Sequence, residues 1–169
     1  MGCHTDDLSS MDRLKRWPLV YSKSKLKKEN IITSAFGGLI YLDSPNGNST
    51  IKLQFENVVE APFLDLNQPD TIENWWNRSR APGLWSEICG KHIVFTVPSQ
   101  TIREFTWLEL KKVLNLWDLI VVANHELRGT NVANCCRERV VADVQPFGGQ
   151  MHSGYPIVIP YGKIINDYK

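Results

Sequence analysis

Residues 106–129 commit to one structure more firmly than any other stretch of the chain. Thr106-Trp107-Leu108-Glu109 has the form of a capping box, in which the threonine hydroxyl meets the Glu109 amide and the Glu109 carboxylate reaches back to the Thr106 amide. Leu110, Val113, Leu114, Trp117, Ile120 and Val121 follow at intervals that place them on one helix face. Arg128 falls in the last turn, and Gly129 can adopt the left-handed conformation that ends helices. The spacing predicts a single amphipathic helix over about 107–128. An apolar face of that length has to be buried against another layer.

Strand signals surround it. Ala35–Leu42 is apolar and aromatic, with Gly37-Gly38 marking a bulge or a close backbone approach. A dense turn follows at Asp43–Asn48, then Ile51–Phe55 alternates as a half-buried strand does, and Val58–Phe63 comes after a short Glu56-Asn57 turn. Three strands at this spacing predict an N-terminal antiparallel β unit. Beyond it, Asp70 with Glu73 reads as the start of a helix that carries Trp75-Trp76, one ring packed inward and its neighbour at the rim. The alternative for such a pair is a ligand platform. Trp85–Val97 leads into a strand over His92–Val97, closed by Pro98. The expected class is α+β: a β-rich segment over 1–66, then a mixed α/β segment over 67–169, within one domain.

Composition narrows the functional classes. At 169 residues the chain can build one core, and a net charge of +1 gives no reason to expect nucleic acid or an anionic membrane as partner. No run of 18 apolar residues exists, so membrane insertion is not expected. The basic stretch between Lys15 and Lys28 reads as a solvated loop face. Met1-Gly2-Cys3 opens no secretory signal, and Asp6 stands where a myristoylation pattern needs Ser or Thr. Cys3, Cys89, Cys135 and Cys136 lack zinc-knuckle spacing, so reduced thiols in a cytoplasmic protein are the expectation.

The stretch 139–159 holds the most suggestive loop. Val140-Val141-Ala142 and Ile157-Val158-Ile159 flank a glycine-bearing segment with Gln150, His152, Ser153 and Tyr155. Loops held between rigid strands often carry binding groups. The alternative is a tight core connection in which His152 is merely hydrogen-bonded. No catalytic set is expected, because Ser153 and His152 are adjacent and would point to opposite sides of an extended chain. His125-Glu126-Leu127-Arg128-Gly129 begins like the zinc-binding H-E-x-x-H, yet Gly129 stands where the second histidine must be. It reads as a helix end, and no metal ligand is assigned.

The ordered set VADVQ (141–145) and MHSGYPI (151–157) resembles the core signature of M60-like, enhancin-type peptidase domains. Within that group the chain looks most like the factors associated with the cold-sensing, melastatin-type TRP channel. Further matches are GCHTDDL (2–8), the strand at Gly37–Tyr41, Glu60–Phe63, Trp85, Glu87, Thr96–Pro98 and Leu116-Trp117-Asp118. Pro146 and Gln150 depart from the family pattern. The resemblance implies a match to the leading part of the family domain, upstream of its zinc motif, with zinc required only if that motif lies outside this chain. It also implies a non-catalytic protein that binds the cytoplasmic region of the channel and modulates its trafficking and gating. The expected location is cytoplasmic, peripheral at the plasma membrane through the channel. The Gln150, His152, Ser153 and Tyr155 loop would lie near the family's cleft. The alternative is the front of a zinc metallopeptidase acting on glycoprotein or mucin-like substrates.

Overall fold

The computed structural model describes residues 24–33, 38–43, 50–143 and 155–160. Five strands form one sheet in the order β1 (Phe63–Asp65), β2 (Trp85–Cys89), β3 (Ile93–Pro98), β4 (Glu138–Asp143) and β5 (Ile157–Pro160). Only β2 and β3 pair antiparallel, through the tight turn at 90–92; β1–β2, β3–β4 and β4–β5 are parallel. Parallel neighbours need a crossover, and helices provide two of them. Helices α1 (Pro69–Glu73) and α2 (Trp75–Arg78) link β1 to β2, while α3 (Ser99–Ile102) and α4 (Trp107–Leu127) link β3 to β4. The class is α+β, with a mixed sheet.

Helix α4 forms where the sequence places it. Thr106 Oγ1 accepts from the Glu109 amide, and the Glu109 carboxylate accepts from the Thr106 amide at 2.8 Å. Leu110, Leu114 and Val121 are buried against the sheet, and Phe95 meets Trp117 edge-to-face at 5.6 Å. The helix ends as Gly129 turns to a φ of +66°, conformational space that a side chain rarely enters.

The Leu116-Trp117-Asp118 motif acquires a physical role here. The Asp118 carboxylate accepts from the Lys91 and His92 amides at 2.7 and 2.6 Å, clamping the β2–β3 turn onto the helix. A Cβ on Gly90 would lie 2.7 Å from that carboxylate, so only glycine permits the approach.

Three expectations are corrected. The strands predicted at Ile51–Phe55 and Val58–Phe63 do not form: among the described residues no strand precedes Phe63. The described residues 38–42 of the Ala35–Leu42 prediction are likewise unpaired, with Gly38 at a φ of +126°. The N-terminal antiparallel unit is therefore absent among the described residues. Alternation marks a segment able to bury one side, but it becomes a strand only when a neighbour offers a free ladder. Here Ile51, Phe55, Val58 and Val59 remain exposed. Finally, Asp70 does not cap. Pro69 occupies the first helical turn, Gln68 is the N-cap without a side-chain bond, and a break at Asn74 splits the segment into two short helices. The tryptophan expectation holds: Trp75 is buried, its indole N–H donating to the Phe105 carbonyl at 3.0 Å, while Trp76 is exposed beneath the Arg80 guanidinium.

Strand β2 went unread as a strand of its own. Its burial alternates along Trp85, Ser86, Glu87 and Ile88, but the charge at Glu87 and the short Gly90 turn obscure the pattern.

Candidate functional site

The period of two along each strand gives the sheet two different faces. Leu64, Ile88, Phe95, Val97, Val140 and Ala142 look toward α4 and form the core. The other face carries Asp65, Glu87, Cys89, Thr96 and Arg139, brought side by side by the strand register.

Two charge clusters sit on this second face. In the first, Glu87 Oε1 accepts from Arg139 Nη1, from the Tyr41 hydroxyl at 2.5 Å and from Thr96 Oγ1 at 3.1 Å. The same Arg139 nitrogen donates to Thr96 Oγ1 at 2.9 Å and to the Tyr41 hydroxyl at 3.1 Å, with the guanidinium 5.1 Å from the Tyr41 ring. In the second, Arg137 donates to both Asp65 oxygens at 2.9 and 3.3 Å, while Asn67 donates to Asp65 Oδ1 from its amide and its side chain. Cys89 lies between the clusters, paired in register with Asp65.

The electrostatics follow from this crowding. Burial, then the nearby negative charges of Glu87 and Asp65, push the Cys89 thiol up to about 12, so it stays protonated and a poor nucleophile. Burial and the Glu87 carboxylate also raise the Tyr41 hydroxyl, which remains a neutral donor. Burial works against the charge of Arg139, but Glu87 outweighs it, so the guanidinium is held more firmly protonated than usual. A carboxylate with three donors on one oxygen and an arginine with three acceptors form a closed structural clasp.

The predicted loop residues fall out as follows. Gln150, His152 and Ser153 lie outside the described residues. Tyr155 is described: it is 60% exposed, and its side chain adds to the interactions that keep the Arg139 guanidinium protonated. Tyr41, Glu87 and Arg139 were not singled out as a set from the sequence. The available signal was a charge, Glu87 or Arg139, set beside apolar residues in WSEIC and ERVVAD.

His125 is 3% exposed, and its Nδ1 is 2.8 Å from Thr130 Oγ1, with the Cys135 sulfur at 4.0 Å. It serves the end of α4, as expected of the H-E-L-R-G segment. Among the described residues no three His, Cys, Asp or Glu side chains converge as a metal-binding set, and no helix is long and apolar enough to cross a membrane. An open pocket of about 270 Å³ beside Trp85, Pro98 and Arg103 is a lesser candidate. Its Ser99 hydroxyl and Arg103 guanidinium are bound to the Gly83 and Ala81 carbonyls.

Comparison with known proteins places this geometry in a family. Residues 1–56 match the N-terminal domain of M60-like peptidases, and residues 57–166 match peptidase M60, enhancin and enhancin-like. Tyr41 belongs to the first region and Glu87 and Arg139 to the second, so the clasp joins the two. The chain is 36% identical over 162 residues to human TRPM8 channel-associated factor 1, covering 94% of this chain and 17% of that protein. It is 33% identical to bovine TRPM8 channel-associated factor 2, covering 94% and 17%, and 35% identical to the Xenopus laevis TRPM8 channel-associated factor homolog, covering 94% and 18%. The chain thus spans less than a fifth of the length of these curated relatives. No solved structure matches it significantly. The chain belongs to the peptidase M60, enhancin and enhancin-like family.

Proposed function

We propose that this chain is a non-catalytic binding module that associates with the cytoplasmic region of a cold-sensing TRP channel and modulates its delivery and gating. The observation that carries the reading is similarity over 94% of the chain to proteins named TRPM8 channel-associated factors. The chemistry is compatible with it, because the charged groups of the buried sheet face are spent on holding the N-terminal region to the sheet. In this reading the protein acts at the cytoplasmic side of the plasma membrane through its channel partner and needs no cofactor. The loop bearing Gln150, His152, Ser153 and Tyr155 is proposed to lie near the family's cleft.

The test is a pull-down of the purified chain against the channel's cytoplasmic region. Retention that survives physiological salt supports the proposal, and no retention at micromolar concentration sinks it. The match to an M60 peptidase family favours a second reading, the leading part of a zinc metallopeptidase acting on glycoproteins. Glycoprotein cleavage that stops on adding a chelator would replace the first reading with this one.

A further inference from the structure

Helix α4 carries a second apolar face that is exposed among the described residues. Leu108, Leu116, Leu119, Ile120 and Leu127 are 54%, 59%, 68%, 38% and 88% exposed. At 3.6 residues per turn they fall within an arc of about 120°, opposite the Leu110, Leu114 and Val121 face that packs on the sheet. A solvent-facing stripe of this kind marks an interaction surface.

The spacing identifies what fits it. Leu108 and Leu127, like Leu116 and Leu119, are symmetric about the midpoint between Trp117 and Asp118. A second copy laid antiparallel across this midpoint sets Leu116 level with the partner subunit's Leu119, and Leu108 level with the partner subunit's Leu127. Leu108, Lys112 and Leu116 make one ridge four residues apart, and Leu119, Ala123 and Leu127 make the other. Ridges of that kind interdigitate when two helices pack. Such a contact is isologous, the commonest arrangement among homodimers.

Charge agrees with this pairing. The exposed Lys112 lies level with the partner subunit's Ala123, one turn from the partner subunit's exposed Glu126. Glu109 on the same helix also attracts Lys112, while its carboxylate hydrogen bonds go to the Thr106 amide and hydroxyl.

We propose that the outer face of α4 is a self-association surface, through which two copies of this chain pair antiparallel about a two-fold axis at residues 117–118. One helix per copy makes a small interface, so the dimer is weak and concentration-dependent, with dissociation in roughly the micromolar range.

Light scattering on the full 169-residue chain tests this. The mass rises from 19.3 kDa toward twice that value as concentration increases from about 1 to about 200 micromolar. Leu116→Lys and Leu119→Glu, each confirmed as folded by its circular dichroism melt, stay at the monomer mass. An equimolar mixture of the two associates again, because the two-fold sets the introduced lysine beside the introduced glutamate. Lys112→Glu weakens pairing several-fold, and adding Glu126→Lys restores it. A wild-type mass that stays at the monomer value across the range overturns the proposal. Association that is unchanged in both single variants, or is not recovered in their mixture, overturns it as well.

Discussion

On one side of the sheet, Phe95, Val97 and Val140 join Leu110, Leu114 and Trp117 of α4 in one apolar cluster. On the other side, Glu87, Arg139, Thr96 and Tyr41 exchange hydrogen bonds across strands β2, β3 and β4. Both sides hold a distant segment against the same strands. The apolar side does so by removing area from water, which is additive and tolerant of geometry. The polar side does so by mutual satisfaction of groups that cannot be left alone in a partly buried position. The difference teaches what each side is suited for. The apolar side sets stability, and the polar side sets which segment docks and where, because only a hydroxyl reaching Glu87 and Arg139 together completes the network.

Substitutions sharpen the contrast, beginning with the largest effect. Leu114 is fully buried, and Leu114→Ala should lower stability by about 3–5 kcal/mol in a denaturant titration through lost transfer energy and a residual cavity. A loss under ~1 kcal/mol would mean that α4 is loosely seated. Glu87→Ala leaves Arg139 uncompensated and should cost about 3 kcal/mol, while Glu87→Leu combined with Arg139→Met should recover most of that loss. If the paired change is as damaging as the single one, the clasp stabilises by more than mutual neutralisation.

Asp118→Ala removes two charge-assisted bonds to the β2–β3 turn and should cost about 2 kcal/mol, with faster amide exchange at Lys91 and His92. Unchanged exchange there would remove the clamp from the account. Alkaline titration probes the polar side alone. The folded chain holds the Cys89 proton more tightly than the unfolded chain, whose value is the ordinary 9.0. Its stabilising contribution is therefore complete below about pH 9 and is lost as pH rises toward 12, about 3 kcal/mol of it by pH 11. Cys89→Ala should flatten that slope and leave Leu114→Ala chains with theirs. The smallest effect belongs to Tyr41→Phe, about 1 kcal/mol, seen as faster proteolysis near residues 38–43 rather than as global unfolding.

Legibility differed in the same way between the two sides. The capping box at Thr106, the apolar positions of α4, the turn at Gly129 and the inward Trp75 with outward Trp76 are all set by neighbours within a few residues, so the spacing alone predicts them. Of the candidate loop, only Tyr155 falls within the described residues, and its influence on Arg139 depends on the β4–β5 pairing, which no local pattern announces.

By itself the sequence determined the α+β class, the long helix and its sheet-facing side, and the family to which the chain belongs. Each rests on periodicity or on an ordered set of motifs, information carried along the chain. Tertiary structure alone decided which alternating segments became strands, since Ile51–Phe55 has the pattern but no ladder while Trp85–Cys89 acquired one from β1 and β3. It also decided that Tyr41, Glu87 and Arg139, up to 98 residues apart, share one cluster of charge. Hydrogen-bond partners and buried charges are chosen by register between strands, and register is a property of the assembled sheet.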